Sequence, residues 1–263
     1  MKRISSAANP GFKALRELVD SSRERRQSGL SILDGIHLVQ AYQGGVGLPE
    51  EVWLSESGLE NNEIKQIIKE VPSSRILLLS DSLFAQLSHV VTPTGIVAVV
   101  KTPRPRPVPT QVEACLMLED LQDPGNLGSI LRTAAAAGLR HVLLSKNSVH
   151  AWSPRVLRAG MGAHFMLDIH EQADLAATAN AFKGQVVATS RGAARSVYDT
   201  NLAGNVALLF GNEGSGLSRA LRGAAHAEVS IPMPGKLESL NVAAAVAVCL
   251  FERVRQRQAA GKS

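Results

Sequence analysis

Four prolines fall within the nine residues Lys101–Pro109, KTPRPRPVP, and they constrain the fold more than any other stretch of this chain. Proline lacks an amide hydrogen and fixes φ, so the stretch excludes a helix or a central strand and reads as an extended, semi-rigid linker. It divides the 263 residues into segments 1–100 and 110–263, each large enough to bury a core of its own. Two domains joined by a linker over 101–109 are therefore expected.

Both segments alternate strand-like and helix-like patterns. In the first, helices are predicted over Phe12–Arg26, Ile36–Tyr42, Asn62–Glu70 and Asp81–Ser88. Strands are predicted over Ser31–Leu33, Glu51–Ser55, Arg75–Leu79 and Gly95–Val100, which gives a small α/β layer domain. In the second, strands are predicted over Ala114–Leu118, His141–Leu144, Phe165–Ile169, Gln185–Thr189, Val206–Phe210 and Glu228–Ile231. Helices are predicted over Leu127–Ala137, Pro154–Met161, Asp174–Phe182, Ser218–Gly223 and Leu240–Gln258. Ala207-Leu208-Leu209-Phe210 is apolar without alternation, as parallel strands covered on both faces are.

Composition narrows the class. Hydrophobic residues make up 45% and charged residues 19%, the balance of a globular chain, and no apolar run approaches the roughly 18 residues of a membrane span. Met1–Ser6 carries basic residues with no apolar stretch behind them, so no signal peptide is expected. Cys115 and Cys249 lie in apolar segments and read as buried thiols of a reducing, cytoplasmic compartment; far apart and without a CxxC pair, they predict no metal site. The net charge of +5 is concentrated at Lys2, Arg3, Lys13, Arg16, Arg23, Arg25 and Arg26, at Arg104 and Arg106, and at Arg253, Arg255, Arg257 and Lys262. Such clusters are either solvated faces or contacts for a polyanion.

Three segments put glycines and polar residues where a buried sheet favours neither. In Asp123-Pro-Gly-Asn126-Leu-Gly128-Ser129-Ile-Leu-Arg132-Thr-Ala, a turn leads into a helix that Asn126 is placed to cap, and small residues surround Arg132 at helical spacing. Arg132 either reaches a ligand or pairs with Glu119, Asp120 or Asp123. In Phe210-Gly211-Asn212-Glu213-Gly214-Ser215-Gly216-Leu217, glycines after a buried strand let backbone amides approach a ligand. This is no P-loop, because Leu217 stands where the lysine belongs, and no dinucleotide fingerprint, because Arg219 stands where the third glycine belongs. In Ile231-Pro-Met233-Pro-Gly-Lys-Leu-Glu-Ser239-Leu240-Asn241-Val242, a Pro-rich loop opens an Ala-rich helix for which Ser239 is a candidate N-cap.

Taken in order, these segments closely resemble the three motifs of the SpoU (TrmH-type) branch of the SPOUT RNA methyltransferases. Asn126, Gly128, Arg132 and Thr133-Ala134 match the first motif, Gly211 through Leu217 the second, and Ile231 through Val242 the third, with no departure at a defining position. Upstream, Asn9-Pro10-x-x-Lys13 and Asp34-Gly35-Ile36-His37 are similar to the family's RNA substrate-binding domain, although relatives commonly have Glu-Gly at Asp34-Gly35.

The resemblance implies a small N-terminal α/β RNA-binding domain and a C-terminal parallel-sheet methyltransferase domain threaded into a trefoil knot. It implies a homodimer with active sites completed across the interface, S-adenosylmethionine as cofactor, and a ribose 2′-hydroxyl of ribosomal or transfer RNA as methyl acceptor. Thr189, Leu209, Gly211, Ile231, Met233 and Leu240 would surround the cofactor, largely through backbone groups. Asn126, Arg132, Glu213, Ser239 and Asn241 would form the catalytic surface. Guanidinium is a poor base, so Arg132 reads better as a phosphate ligand or alkoxide stabiliser than as the proton acceptor the family proposal makes it. Two other classes are weighed against this: a non-catalytic RNA-binding protein keeping the fold, which leaves the intact motifs unexplained, and a nucleotide phosphotransferase, which lacks its lysine.

Overall fold

The computed structural model describes residues 1–87, 92–107 and 112–261. The chain forms two compact units: Met1–Pro103 together with Trp152–Phe165, and the remainder of the described chain. The units thus do not follow chain order, since Trp152–Phe165 was assigned from sequence to the second domain. That segment packs in the first unit, where Arg158 pairs with Asp34 at 3.2 Å and Phe165 stacks edge-on against Tyr42 at 5.4 Å. The predicted linker is irregular from Thr102 to Pro107, whereas Lys101 ends a strand; Val108 and Pro109 lie outside the described residues.

The first unit contains, in chain order, β1 (Lys2–Ile4), α1 (Pro10–Asp20), α2 (Ser22–Ser28), β2 (Leu30–Asp34), α3 (Ile36–Gly45), β3 (Glu51–Ser55), α4 (Asn62–Lys69), β4 (Ile76–Leu79), α5 (Asp81–Phe84) and β5 (Ile96–Lys101). Its sheet has the order β1-β4-β3-β5-β2, parallel from β1 to β3 and antiparallel through β5 to β2. Phe12, Leu15 and Val19 of α1 are buried with Ile32, Trp53 and Val97 of the sheet. The single helix predicted over Phe12–Arg26 is two. Ser21 leaves the helical region at φ −110° and ψ 114°, and its hydroxyl accepts from Glu24 N to start a second helix. Ser88, the predicted end of α5's helix, lies outside the described residues.

The basic clusters are partly spent inside the fold. Arg25, predicted among the solvated or phosphate-facing charges, is buried and donates to the carbonyls of Leu18 and Val19, satisfying the last turn of α1. At the other end of the chain, Arg255 pairs with Glu252, Arg257 with Glu113, and Arg253 is buried.

The second unit contains β6 (Ala114–Leu118), α6 (Pro124–Ala136) and β7 (His141–Leu144). The chain re-enters it, after α7 (Pro154–Gly160) of the first unit, with β8 (Asp168–His170), α8 (Leu175–Ala181), β9 (Gln185–Thr189) and β10 (Arg195–Ser196). It ends with β11 (Val206–Phe210), α9 (Arg219–Ala224), β12 (Ala227–Ser230) and α10 (Val242–Ala259). All seven strands pair in parallel, in the order β10-β12-β9-β11-β6-β7-β8. Cys115, Met117, Val186, Ala188, Ala207 and Leu209 are buried on one face with Leu175 of α8 and Leu221 of α9. The alternate residues Leu116, Leu118, Leu208 and Phe210 are equally buried, as strand alternation demands of a sheet covered on both sides. Two late strands are inserted between earlier ones: β11 between β6 and β9, and β12 between β9 and β10.

Candidate functional site

The segments leaving the carboxyl ends of β6, β9, β11 and β12 line one cavity of about 620 Å³. The carboxyl edge is where open parallel sheets bind ligands, because connections from neighbouring strands part there. Thr189 at the end of β9, Gly211 after β11, Ile231 and Met233 after β12, and Leu240 all line it. So do Asn126, Glu213, Ser239 and Asn241. Two predicted site residues do not. Leu209 is fully buried in β11 and reaches the site through its carbonyl, which accepts from Thr189 Oγ1 at 3.0 Å. Arg132 is exposed on α6 and does not line this cavity.

The caps of two helices set the site's polarity. Asn126 does not cap α6; Asp123 does, accepting from Asn126 N at 2.6 Å, and Pro124 takes the first helical position. Nor does Ser239 cap α10. Asn241 does, its Oδ1 accepting from Ala243 N at 2.8 Å and Ala244 N at 3.4 Å. With its oxygen committed to the helix, Asn241 can offer only Nδ2, which donates to Asn126 Oδ1 at 2.8 Å. Asn126 then offers its own Nδ2, which donates to Glu213 Oε1 at 3.1 Å. Each amide keeps one N–H for a further acceptor.

The glycine loop is held by Asn212, which the sequence reading did not single out. Its Oδ1 accepts from Gly214 N at 2.9 Å and Ser215 N at 3.1 Å, and its Nδ2 donates to the carbonyl of Asp120 at 2.8 Å. An asparagine opening a glycine-rich turn was the available signal, because its side chain mimics a backbone turn. Asn212 and Gly216 also exchange backbone hydrogen bonds, and the loop folds back so closely that a Cβ on Gly211 would lie 2.1 Å from the Gly216 carbonyl carbon.

The carboxylates offered as partners for Arg132 are engaged elsewhere. Glu119 accepts from Ser218 N at 2.7 Å, Asp120 accepts from Ser145 Oγ and Asn147 Nδ2, and Asp123 caps α6. Among the described residues Arg132 has no hydrogen-bond or ion-pair partner. At 3.6 residues per turn, six positions from Asn126 turn it well away from that residue's side of α6.

The cavity lining also includes Ser190, Arg191, Gly192 and Arg222, none of them predicted. Arg222 makes a two-pronged pair with Glu228 at 3.1 and 2.9 Å, and these hydrogen bonds hold the Glu228 carboxyl below the usual carboxylate range. The lining contains no cysteine, histidine or lysine, and among the described residues no cluster of three or more His, Cys, Asp or Glu is placed to hold a metal. A wall of amides, hydroxyls and backbone groups beside apolar side chains suits binding and orienting reactants.

Residues 113–251 match the model of the SpoU rRNA Methylase family, and residues 9–98 match that of the MRM3-like substrate binding domain. The chain is 34% identical over 262 residues to an uncharacterized tRNA/rRNA methyltransferase of Synechocystis, covering 98% of this chain and 95% of that one. It is 28% identical to the 23S rRNA (guanosine(2553)-2′-O)-methyltransferase RlmP of Bacillus subtilis, covering 95% and 98%. The crystal structure of an AdoMet-bound rRNA methyltransferase from Sinorhizobium meliloti superposes with a TM-score of 0.83 at 26% identity, covering 97% of each chain.

Proposed function

The chain belongs to the SpoU rRNA methylase family, and from that membership we propose that it transfers the methyl group of S-adenosylmethionine to a ribose 2′-hydroxyl of ribosomal RNA. The observation that carries this reading is the Asn241–Asn126–Glu213 chain on the wall of a cavity that the glycine loop and apolar residues such as Ile231, Met233 and Leu240 also line. The intact motifs and the methyltransferase relatives favour catalysis over RNA binding alone.

The cavity suits the cofactor. Its volume falls in the roughly 300–1,000 Å³ range of small-ligand sites. The close turn at Gly211, where any side chain would collide with Gly216, sets glycine backbone in the cavity wall. Thr189, Gly211, Ile231, Met233 and Leu240 would hold it, with Leu209 contributing through the carbonyl that orients Thr189. When bound, it supplies an electrophilic methyl group on a sulfonium centre.

The chain's own residues do the rest. The Asn241–Asn126–Glu213 chain presents two fixed amide donors and a carboxylate, which position a ribose hydroxyl so that its oxygen lies in line for attack. Ser239 adds a hydroxyl on the same wall. Arg132 faces away from its own cavity, and we assign it to the site of a second copy, where its charge stabilises the developing alkoxide or an adjacent phosphate. A homodimer is therefore part of the proposal. Phe251, 49% accessible on α10, which packs against α6, supplies an exposed apolar side chain for it. The trefoil threading implied by the motifs belongs to the proposal too, supported by the insertion of β11 and β12 between earlier strands. Among the described residues no helix is long and apolar enough to cross a membrane, and we place the protein in the cytoplasm with its RNA.

The direct test incubates the full chain with methyl-labelled S-adenosylmethionine and unmodified ribosomal RNA, then maps the label. Label on a ribose oxygen supports the reading. Label on a base, or none on any RNA offered, overturns it.

A further inference from the structure

Arg191 is the one charged residue of the cavity lining without a partner among the described residues. Glu213 accepts from Asn126, and Arg222 is held in two hydrogen bonds by Glu228. Arg191 is exposed and sits just past β9 in the turn that Ala193 N closes onto the Ser190 carbonyl at 3.4 Å. A guanidinium placed on a binding cavity and left unpaired is a ready fork for a planar anion.

Its position along the sheet edge says which anion. Glu213 lies three residues past β11 and is bonded to Asn126 after β6, so the carboxylate stands over that pair of strands, to which the long segment after β12 brings Asn241. Arg191 follows β9, which is two strand spacings of about 4.8 Å from β6 and borders β12 on its other side. The cavity therefore has an acidic end, where Glu213 faces the methyl-transfer wall, and a basic end at Arg191. S-adenosylmethionine is polar in the same sense. Its sulfonium is a cation that belongs at the reacting end, and its amino-acid tail ends in a carboxylate that can reach the other.

We propose that Arg191 binds the amino-acid carboxylate of S-adenosylmethionine, fixing which way the cofactor lies in the cavity. The proposal rests on the cofactor reading above. It gives Arg191 a binding role remote from the reacting atoms, and Arg191→Ala should act on affinity for the tail alone.

The experiment compares two ligands of the full chain by calorimetry. S-adenosylhomocysteine has the carboxylate-bearing tail, whereas 5′-methylthioadenosine keeps the nucleoside thioether and lacks that tail. Arg191→Ala is expected to weaken S-adenosylhomocysteine binding roughly tenfold or more, the worth of a charge-assisted hydrogen bond, and to leave 5′-methylthioadenosine unchanged. Arg191→Gln, which keeps the side chain's bulk, is expected to give the same split, and Arg191→Lys a smaller one because a point charge replaces the fork. Equal weakening of both ligands, or of neither, overturns the proposal. So does a loss of RNA affinity with S-adenosylhomocysteine binding intact, which would make Arg191 a phosphate contact. Failure of the unaltered chain to bind either compound overturns the cofactor reading itself, and this assignment with it.

Discussion

Asn241 Nδ2 lies 2.8 Å from Asn126 Oδ1, joining two residues 115 positions apart, and the direction of that bond is dictated by helix capping. Because Asn241 gives its oxygen to the first turn of α10, one residue both starts a helix and sets the polarity of the site. Asn241→Asp separates these roles, since aspartate caps a helix as well as asparagine but donates nothing. The expected result is an unchanged melting temperature with a single-turnover rate lower by roughly 10²–10³. Asn241→Ala should lose about 1 kcal/mol of stability as well. Equal turnover for Asn241→Asp and the unaltered chain would remove the amide chain from catalysis.

Gly211→Ala tests the close turn. The added methyl would meet the Gly216 carbonyl carbon at 2.1 Å and Leu217 N at 2.3 Å, both backbone atoms that cannot swing aside. Overpacking of this kind typically costs about 1–3 kcal/mol. A lowered melting temperature together with weaker S-adenosylhomocysteine binding is expected. Unaltered binding would mean that the loop does not shape the cofactor pocket.

Arg132→Ala should leave stability within about 0.5 kcal/mol, because the side chain is exposed and unpaired among the described residues. Turnover should fall by roughly 10²–10³ while cofactor affinity holds. Its action in a second copy is tested by mixing. Neither Arg132→Ala nor Asn126→Ala should be active alone, but dimers re-formed from an equal mixture should regain activity, because one composite site is then intact. A mixture as inactive as its parents would return Arg132 to its own subunit's site or remove it from catalysis.

Acid should weaken the second unit at its β7–β8 edge. His141 and His170 lie 3.4 Å apart, and burial, with each other's charge adding at His170, holds both imidazoles below their ordinary range. For a histidine whose folded pKa is depressed, the unfolded chain gains protons first as pH falls below about 6.5. Stability is therefore full above that pH and lost as pH drops towards the folded values. The melting temperature should fall from pH 7 to pH 5, and less so in a His141→Gln, His170→Gln double variant. A double variant as acid-sensitive as the parent would place the sensitivity elsewhere.

Much of the site could be read from the order of residues because it is built from local devices. Gly211, Asn126 and Asn241 sit at strand ends and helix starts inside the three motif segments. The caps themselves fall a few positions from where they were expected, on Asp123 rather than Asn126 and on Asn241 rather than Ser239. What escaped was short, non-local, or a cap signal set inside a longer pattern. β1 and β10 are three and two residues long, too brief for any periodicity to show. The break at Ser21 did have a signal, Ser21-Ser-Arg-Glu24, a capping-box spacing hidden inside a stripe that otherwise continues. Asp123-Pro124 likewise marked the true start of α6 one turn before the predicted Leu127. Arg25 and Arg253 carry the residue type of surface charges, and only the packing shows that they are buried. The grouping of Trp152–Phe165 with the first unit depends on Asp34 and Tyr42, more than 100 positions upstream, and no local pattern encodes it.

The insertion of β11 and β12 between strands made before them bears on how the protein is born. On the ribosome, β6, β7, β8 and β9 emerge first, yet β9 can find its place beside β6 only through a strand not yet synthesised. Pairings of such long sequence separation form slowly, and until they form the exposed strand edges are open to mispairing. Every cavity-lining residue except Asn126 lies at or beyond Thr189, so a nascent chain halted before the end of β9 carries only Asn126 of the cofactor cavity. Cofactor binding is thereby tied to synthesis of the segment from Thr189 to Ala245, long after the first unit has been made.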